Sequence, residues 1–244
     1  MLMKTYVINL EKSKDRKCYM SQQLETLPFL DVEFVSAIDG RLMSVEEQNV
    51  RFDFSAFQKR YLKKVRPGEI GCTLSHQKCY KRLLESNENY ALILEDDISV
   101  NGDIREIIEK LSVLLESEQP QIVLLSGWYW FFRSRPFYKQ FRLANVYDGF
   151  LTHSYVINKS AARLLIESKP GITADDWKYI RRKGVTLKAL LPHLIDQNQI
   201  NGGQSLIQSG ENKMMKGVCL RKIRIYWNVI ILKGMKLLGY FEKA

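Results

Sequence analysis

The absences in this chain restrict its function before any motif is considered. Its four cysteines, Cys18, Cys72, Cys79 and Cys219, are scattered without a CxxC pair or a Cys/His cluster. Such spacing argues against a disulfide framework or a zinc site and suits a reducing compartment. No GxGxxG follows the first strand-like segment, so a dinucleotide fold of the usual kind is not supported. Tyr6-Val-Ile8 follows the opening Met-Leu-Met-Lys-Thr directly, without an apolar leader, and the cytoplasm is the expected location. Acidic charge is also scarce at one end. Of the formal net charge of +10, residues 213–244 carry +7, from Lys213, Lys216, Arg221, Lys222, Arg224, Lys233, Lys236 and Lys243 against Glu242. The remaining body is nearly neutral, which disfavours nucleic acid as a partner of the main surface.

What is present centres on Tyr90-Ala-Leu-Ile-Leu-Glu-Asp-Asp-Ile98, an apolar run of strand length that ends in consecutive carboxylates. The run suits a strand buried on both faces, and the carboxyl ends of strands in open α/β sheets are where ligands bind. In an extended backbone Glu95 and Asp97 project to one side and Asp96 to the other. Two carboxylates on one side form half of a site for Mg²⁺ or Mn²⁺, which complete their shells with water and substrate phosphates. A solvated acidic turn is the plain alternative.

Around this stretch the chain reads as an α/β domain over residues 1–212 and a basic amphipathic tail over 213–244. Residues 5–10 and 31–37 are expected strands, with a helix to about Leu27 between them. Asp39 lies in the turn after the second strand. Residues 44–66 are expected as a loop with short helical pieces, and 66–85 as a helix carrying Gly71, Ser75 and His76. Gly68 and Gly71 would admit close approach of another backbone or a ligand. Residues 103–117 have a helical apolar stripe, and 121–126, 150–157 and 185–191 read as strands. Asn158 is positioned to cap a helix running to 167.

The stretch 128–138 holds seven aromatic residues and two arginines. Trp128, Tyr129 and Trp130, with His153 from the next strand, are candidate acceptor contacts, because aromatic faces stack on sugar rings. A packed hairpin is the alternative reading. Asp175 and Asp176 sit at a helix start, where one could be a general base and either could be an ordinary cap. Residues 191–207 are polar and turn-rich and suit a loop over a diphosphate. Residues 218–241 combine Ile, Leu and Trp with basic side chains, a pattern for lying on an anionic membrane surface, against the alternative of a helix docked on the body.

Tyr6-Val-Ile-Asn-Leu-Glu-Lys-Ser-Lys-Asp-Arg16, Ser36-Ala-Ile-Asp-Gly40, Gly68-Glu-Ile-Gly-Cys-Thr-Leu-Ser-His76 and Leu92-Ile-Leu-Glu-Asp-Asp97 occur in that order. Together they resemble glycosyltransferase family 25, the bacterial lipooligosaccharide galactosyltransferase family, over residues 4 to about 210. The resemblance implies a GT-A nucleotide-sugar-binding fold with a central mainly parallel sheet flanked by helices. It also implies inverting transfer from a UDP-sugar, usually UDP-galactose, with Mn²⁺ or Mg²⁺. By the same resemblance Asn9 and Arg16 would lie near the nucleotide with Asp96, Asp39 near the uridine, and Gly71, Ser75 and His76 along the donor pocket. Glu95 and Asp97 would hold the metal, and Asp175 or Asp176 would be the base. The expected acceptor is a lipid-linked lipooligosaccharide or lipopolysaccharide at the inner face of the bacterial inner membrane. Competing readings are another UDP-sugar donor, or a basic membrane-surface or nucleic-acid-binding protein without catalysis.

Overall fold

The computed structural model describes residues 2–100, 102, 104–197 and 219–243. Strand β1 (Met3–Asn9) leads through helix α1 (Lys14–Glu25) to β2 (Leu30–Ser36), which pairs parallel to β1. The span 44–66 holds two short helices, α2 (Val45–Arg51) and α3 (Phe54–Tyr61). Both have side-chain caps. Ser44 and Glu47 form a reciprocal box, and Asp53 accepts from the Ala56 amide at 2.9 Å. Helix α4 (Pro67–Glu85) begins on a proline, whose fixed φ suits the first helical position. Then follow β3 (Tyr90–Glu95), β4 (Ile98–Val100), α5 (Arg105–Leu115) and β5 (Gln121–Leu124).

The aromatic stretch is one arm of a long hairpin, β6 (Trp128–Tyr138) and β7 (Phe141–Phe150). Strand β8 (Ser154–Asn158) runs into α6 (Lys159–Ile166), and Asn158 caps that helix through the Ala161 amide at 3.0 Å. Helix α7 (Trp177–Arg182), β9 (Thr186–Leu191), β10 (Ile195–Gln197), α8 (Cys219–Leu237) and β11 (Phe241–Lys243) complete the chain. The loop expected over a diphosphate falls largely on residues outside those described.

The α/β class expected from the sequence is the class found. Nine strands form one sheet in the order β11-β6-β7-β9-β5-β8-β3-β1-β2, and β10 pairs with β4 beside it. The β2-β1-β3 and β5-β9 pairs are parallel. Strand β8 runs antiparallel between β3 and β5, because the chain leaves β5 for the hairpin and re-enters the sheet from that same end. This return places Thr152 and His153 beside the carboxyl end of β3. The segment read as a tail also comes back to the sheet at its end, where Phe241 pairs with Trp130.

Alternation along β3 divides the core. Tyr90, Leu92 and Leu94 face the α1/α5 side with Met20, Ile107 and Leu111, while Ala91 and Ile93 face the α4/α6/α7 side with Tyr80, Ala161 and Trp177. Each fully buried Leu or Ile contributes roughly 1.5–3 kcal/mol, which fixes the register of β3 and hence where its terminal acids lie.

Gly40 and Gly71 are where α4 meets the turn after β2. A Cβ on Gly71 would stand 2.3 Å from the Ile38 carbonyl oxygen and 2.6 Å from the Gly40 nitrogen. Backbone atoms cannot swing aside as a side chain would. Gly71→Ala is therefore expected to cost about 3 kcal/mol or more, read as a lowered midpoint in urea with an unchanged slope. Full stability in that variant would contradict the packing described.

Candidate active site

Strand β3 ends at Glu95, the turn into β4 is formed by Asp96 and Asp97, and the three acids meet different surroundings. Glu95 follows Ile93 onto the α4 side. There it accepts from the Thr152 hydroxyl and lies 3.4 Å from Nε2 of His76. His76 Nδ1 is 2.7 Å from the Tyr155 hydroxyl, which in turn is 2.8 Å from that of Tyr80. Burial pushes the Glu95 carboxyl up, but the His76 hydrogen bond and the nearby His153 and Thr152 outweigh it and hold it at about 2.

Asp96 turns to the α1 side. Its Oδ2 accepts from Asn9 Nδ2 at 2.7 Å and its Oδ1 from Arg16 Nη1 at 2.8 Å, and the residue is only 8% exposed. Asn9, Arg16 and Asp96, expected together near the nucleotide, thus meet in one cluster. Arg16 extends from it to within 3.6 Å of Asp97.

Asp97 has an unsettled environment. Its Oδ1 is buried without a hydrogen-bond partner, and its Oδ2 has Gln197 at 3.4 Å. Burial first, and then repulsion by Glu95, raise its pKa, partly offset by His153 and Arg16. His153 is buried and its Nδ1 is also unpartnered. An orphaned carboxylate oxygen and an orphaned imidazole nitrogen beside a second carboxylate are a donor set that suits a divalent cation. Cys72, His76 and Glu95 also place ligand atoms within 4.8 Å of one another. The Cys72 thiol is pushed well up by burial and by Glu95, and His76 is already held by Tyr155, whereas Asp97 and His153 lie close enough to act on each other electrostatically. His153, expected as an acceptor contact, is a buried neighbour of these acids.

The two later aspartates separate cleanly. Asp176 caps α7 through the Tyr179 amide at 3.0 Å, binds Arg60 through Nε and through Nη2 at 2.7 Å, and accepts from the Tyr61 hydroxyl. That carboxylate has its hydrogen-bonding capacity filled. Asp175 accepts a single 3.2 Å bond from the Leu151 amide, and Trp177 Nε1 donates to the Leu151 carbonyl at 2.8 Å. Leu151 has φ 75°, a left-handed conformation that costs a branched residue about 1–3 kcal/mol and is held by these two bonds. The next residue, Thr152, binds Glu95. One short segment, Leu151–His153, therefore bonds both Asp175 and Glu95, and its His153 acts electrostatically on Asp97.

Other expected residues lie elsewhere. Ser75 is buried: it accepts from the Ile38 amide at 2.8 Å and donates to the Gly71 carbonyl at 2.7 Å. Gly71 serves the same backbone contact. Asp39 accepts from Lys12 Nζ at 2.7 Å and Arg41 Nε at 2.7 Å, and its carboxyl is held far below the usual range, by Arg41 foremost. Lys12 follows β1, so Asp39 stands at the same sheet end as Asn9. Of the aromatic trio, Tyr129 is fully buried and donates to the Leu190 carbonyl at 2.5 Å. Trp130 packs on Phe241 with ring centroids 4.8 Å apart, and Trp128 is 39% exposed. Trp128 is the most exposed of the three and Trp130 is half-buried. Thr152, Tyr155, Arg60 and Tyr61 were missed from the sequence, since the register of β8 against β3 and the packing of α3 on α7 leave no local pattern.

The model of glycosyltransferase family 25 (LPS biosynthesis protein) matches residues 2–177. A glycosyltransferase 25 family member of Anopheles gambiae is 36% identical over 96 residues, covering 38% of this chain and 16% of that protein. A Haemophilus influenzae protein named as a glycosyltransferase is 33% identical over 106 residues, covering 43% and 36%. Human procollagen galactosyltransferase 2 is 26% identical over 118 residues, covering 47% and 18%. The matches thus span well under half the length of these relatives. Among solved structures, galactosyltransferase LgtC in complex with donor and acceptor sugar analogs is similar at a TM-score of 0.43 and 11% identity, covering 81% of this chain and 87% of that one. The assignment rests on the family match, which takes in β1 through the start of α7 and every acid described above: the chain belongs to glycosyltransferase family 25.

Proposed function

We propose that this protein transfers galactose from UDP-galactose, with inversion, to a sugar hydroxyl of a lipid-linked lipooligosaccharide or lipopolysaccharide acceptor. The observation that carries the reading is the tethering of Asp175 to the Glu95/Asp97/His153 cluster through Leu151–His153. A diphosphate beside Glu95 and Asp97 is repelled unless a cation lies between them. Mn²⁺ or Mg²⁺ held by Asp97, Glu95 and His153 would supply that neutralisation and stabilise charge on the departing UDP. Asn9, Arg16, Asp96 and Asp39 position the nucleotide at the neighbouring strand ends. Asp175 accepts the proton of the acceptor hydroxyl as its oxygen bonds to the anomeric carbon and the bond to UDP breaks with its electron pair. Asp176 takes no part in the chemistry and holds α7 in place.

A hydrolysis and transfer screen with several UDP-sugars tests the donor and the metal together. UDP-galactose with Mn²⁺ is expected to give the highest turnover, and excess chelator to remove it. Equal turnover in chelator would contradict the metal assignment, and a stronger response to UDP-glucose or a UDP-N-acetylhexosamine would replace the sugar.

The same proposal places the enzyme on an anionic membrane surface. No helix among the described residues is long and apolar enough to cross a membrane. Helix α8 nevertheless exposes Trp227 at 62% and Ile230 at 58%. Replacing both by Ser is expected to weaken sedimentation with phosphatidylglycerol vesicles while sparing transfer to a soluble acceptor. Unchanged sedimentation would show that α8 serves the protein alone.

A further inference from the structure

A cavity of about 490 Å³ opens between α3, α4, α6 and α7, with His76 in its lining. Its size suits a small ligand. The floor is mixed: His76 and Thr73 are buried polar groups, and Leu165, Ile172, Ala174 and Ile180 supply apolar wall. The mouth is cationic. Lys59, Arg60, Lys169 and Lys183 line it, against the single carboxylate of Asp53, which is engaged in capping α3.

Lys169 and Lys183 carry charge that no carboxylate answers among the described residues. Lys169 donates to the Asn49 carbonyl, and Lys183 lies 3.4 Å from Ser168 Oγ and 5.8 Å from the centre of the Tyr179 ring. Arg60 spends two of its guanidinium donors on Asp176 and rests over Tyr179 at 4.6 Å, so its remaining N–H groups are available at the cavity wall. Cations clustered at a concave, partly apolar site strengthen one another's attraction for an anion.

We propose that this cavity is a second ligand site, separate from the donor crevice, for a small organic anion: a phosphate or carboxylate on a compact, partly apolar body. The anionic group sits among Lys169, Lys183 and Arg60, and the body lies against Leu165, Ile172 and Ile180. The site communicates with the chemistry through residues already described. Arg60 holds Asp176, the cap next to Asp175, and His76 forms the floor of the cavity on one side and touches Glu95 on the other. An anion that shares Arg60 loosens its grip on Asp176 and so alters the setting of Asp175.

Calorimetric titration of the whole chain tests the proposal, in excess chelator so that no cation can draw a phosphate to the acids of the donor crevice. Phenyl phosphate and benzoate are the two probes, which separate phosphate from carboxylate preference, and phenol is the neutral control. One site is expected for at least one anion and none for phenol. In the Lys169→Glu/Lys183→Glu variant binding is expected to weaken roughly tenfold or more, with the circular-dichroism melt confirming the fold. Should that variant melt early, Lys183→Gln and a salt titration replace it, and binding is expected to weaken in both. No heat from either anion, equal binding of phenol, or binding indifferent to the lysine substitutions and to salt would each overturn the proposal.

Discussion

Asp97→Asn is expected to abolish sugar transfer and, in the same molecule, to make the metal-free protein more stable. The two effects share one cause. Asp97 is 22% exposed at its side chain, has one oxygen buried without a partner, and stands against the charge of Glu95. Such a carboxylate weakens the fold unless a cation answers it. Asparagine has nearly the same shape without the charge, so it relieves the repulsion by about 1 kcal/mol, measurable as a raised melting temperature in chelator. It also removes a ligand, so turnover should fall at least roughly a hundredfold.

The pH dependence has a definite sign. Because the folded-state pKa of Asp97 is raised, the folded state holds that proton more tightly than the unfolded chain. Metal-free wild type therefore gains from this group as pH falls through the raised pKa toward the ordinary carboxylate value, and the Asn variant does not. Glu95, held at about 2, works oppositely, and its contribution is lost only below the ordinary carboxylate range. The difference between wild type and variant is therefore read above that range. A less stable Asn variant with intact turnover would mean that Asp97 is an ordinary structural acid.

The second large effect separates two neighbours in sequence. Asp175→Asn should leave the melting temperature within a degree or so and lower turnover roughly a hundredfold or more, because general-base catalysis contributes about 10²–10⁴. Asp176→Ala should do the reverse to stability. It removes the cap of α7 and leaves Arg60 and the Tyr61 hydroxyl without their partner in a largely buried setting, at a cost of about 3–5 kcal/mol. Burial and Asp176 together push the Tyr61 hydroxyl above its usual value, and the variant should bring it back down. Turnover per folded molecule should change far less than in Asp175→Asn. Equal losses in the two variants, or an active Asp175→Asn, would remove Asp175 from its role.

Much of this was legible in the sequence where local physics decides the outcome. The buried strand ending in Glu95-Asp96-Asp97 could be read because apolar residues then charge, without a helical stripe, admit few folds. Asn158 announced a helix start by its chemistry, whereas Asp96 and Asp97 lie in a turn, where the two-residue period of a strand no longer decides their facing. What escaped depended on partners distant in sequence. Ser75 on a helix facing the expected donor pocket looked like a lining residue until the close approach of Gly71 to Gly40 turned it inward onto the Ile38 amide. Tyr129 and Trp128 share one aromatic run, yet strand alternation buries the first and exposes the second. The choice between Asp175 and Asp176 rested on Arg60 and Tyr61, more than a hundred residues away. Likewise, nothing local to His153 indicates that β8 returns antiparallel beside β3 and sets it among the acids.

In the proposed reaction a cation held at Glu95, Asp97 and His153 lies between the protein and the donor diphosphate. Anomalous scattering at the manganese edge from crystals grown with UDP and Mn²⁺ tests it most directly. The expected result is one strong peak within coordination distance of Asp97 and the diphosphate, absent when Asp97 is replaced by Asn. Bound UDP with no peak among these three side chains would contradict it.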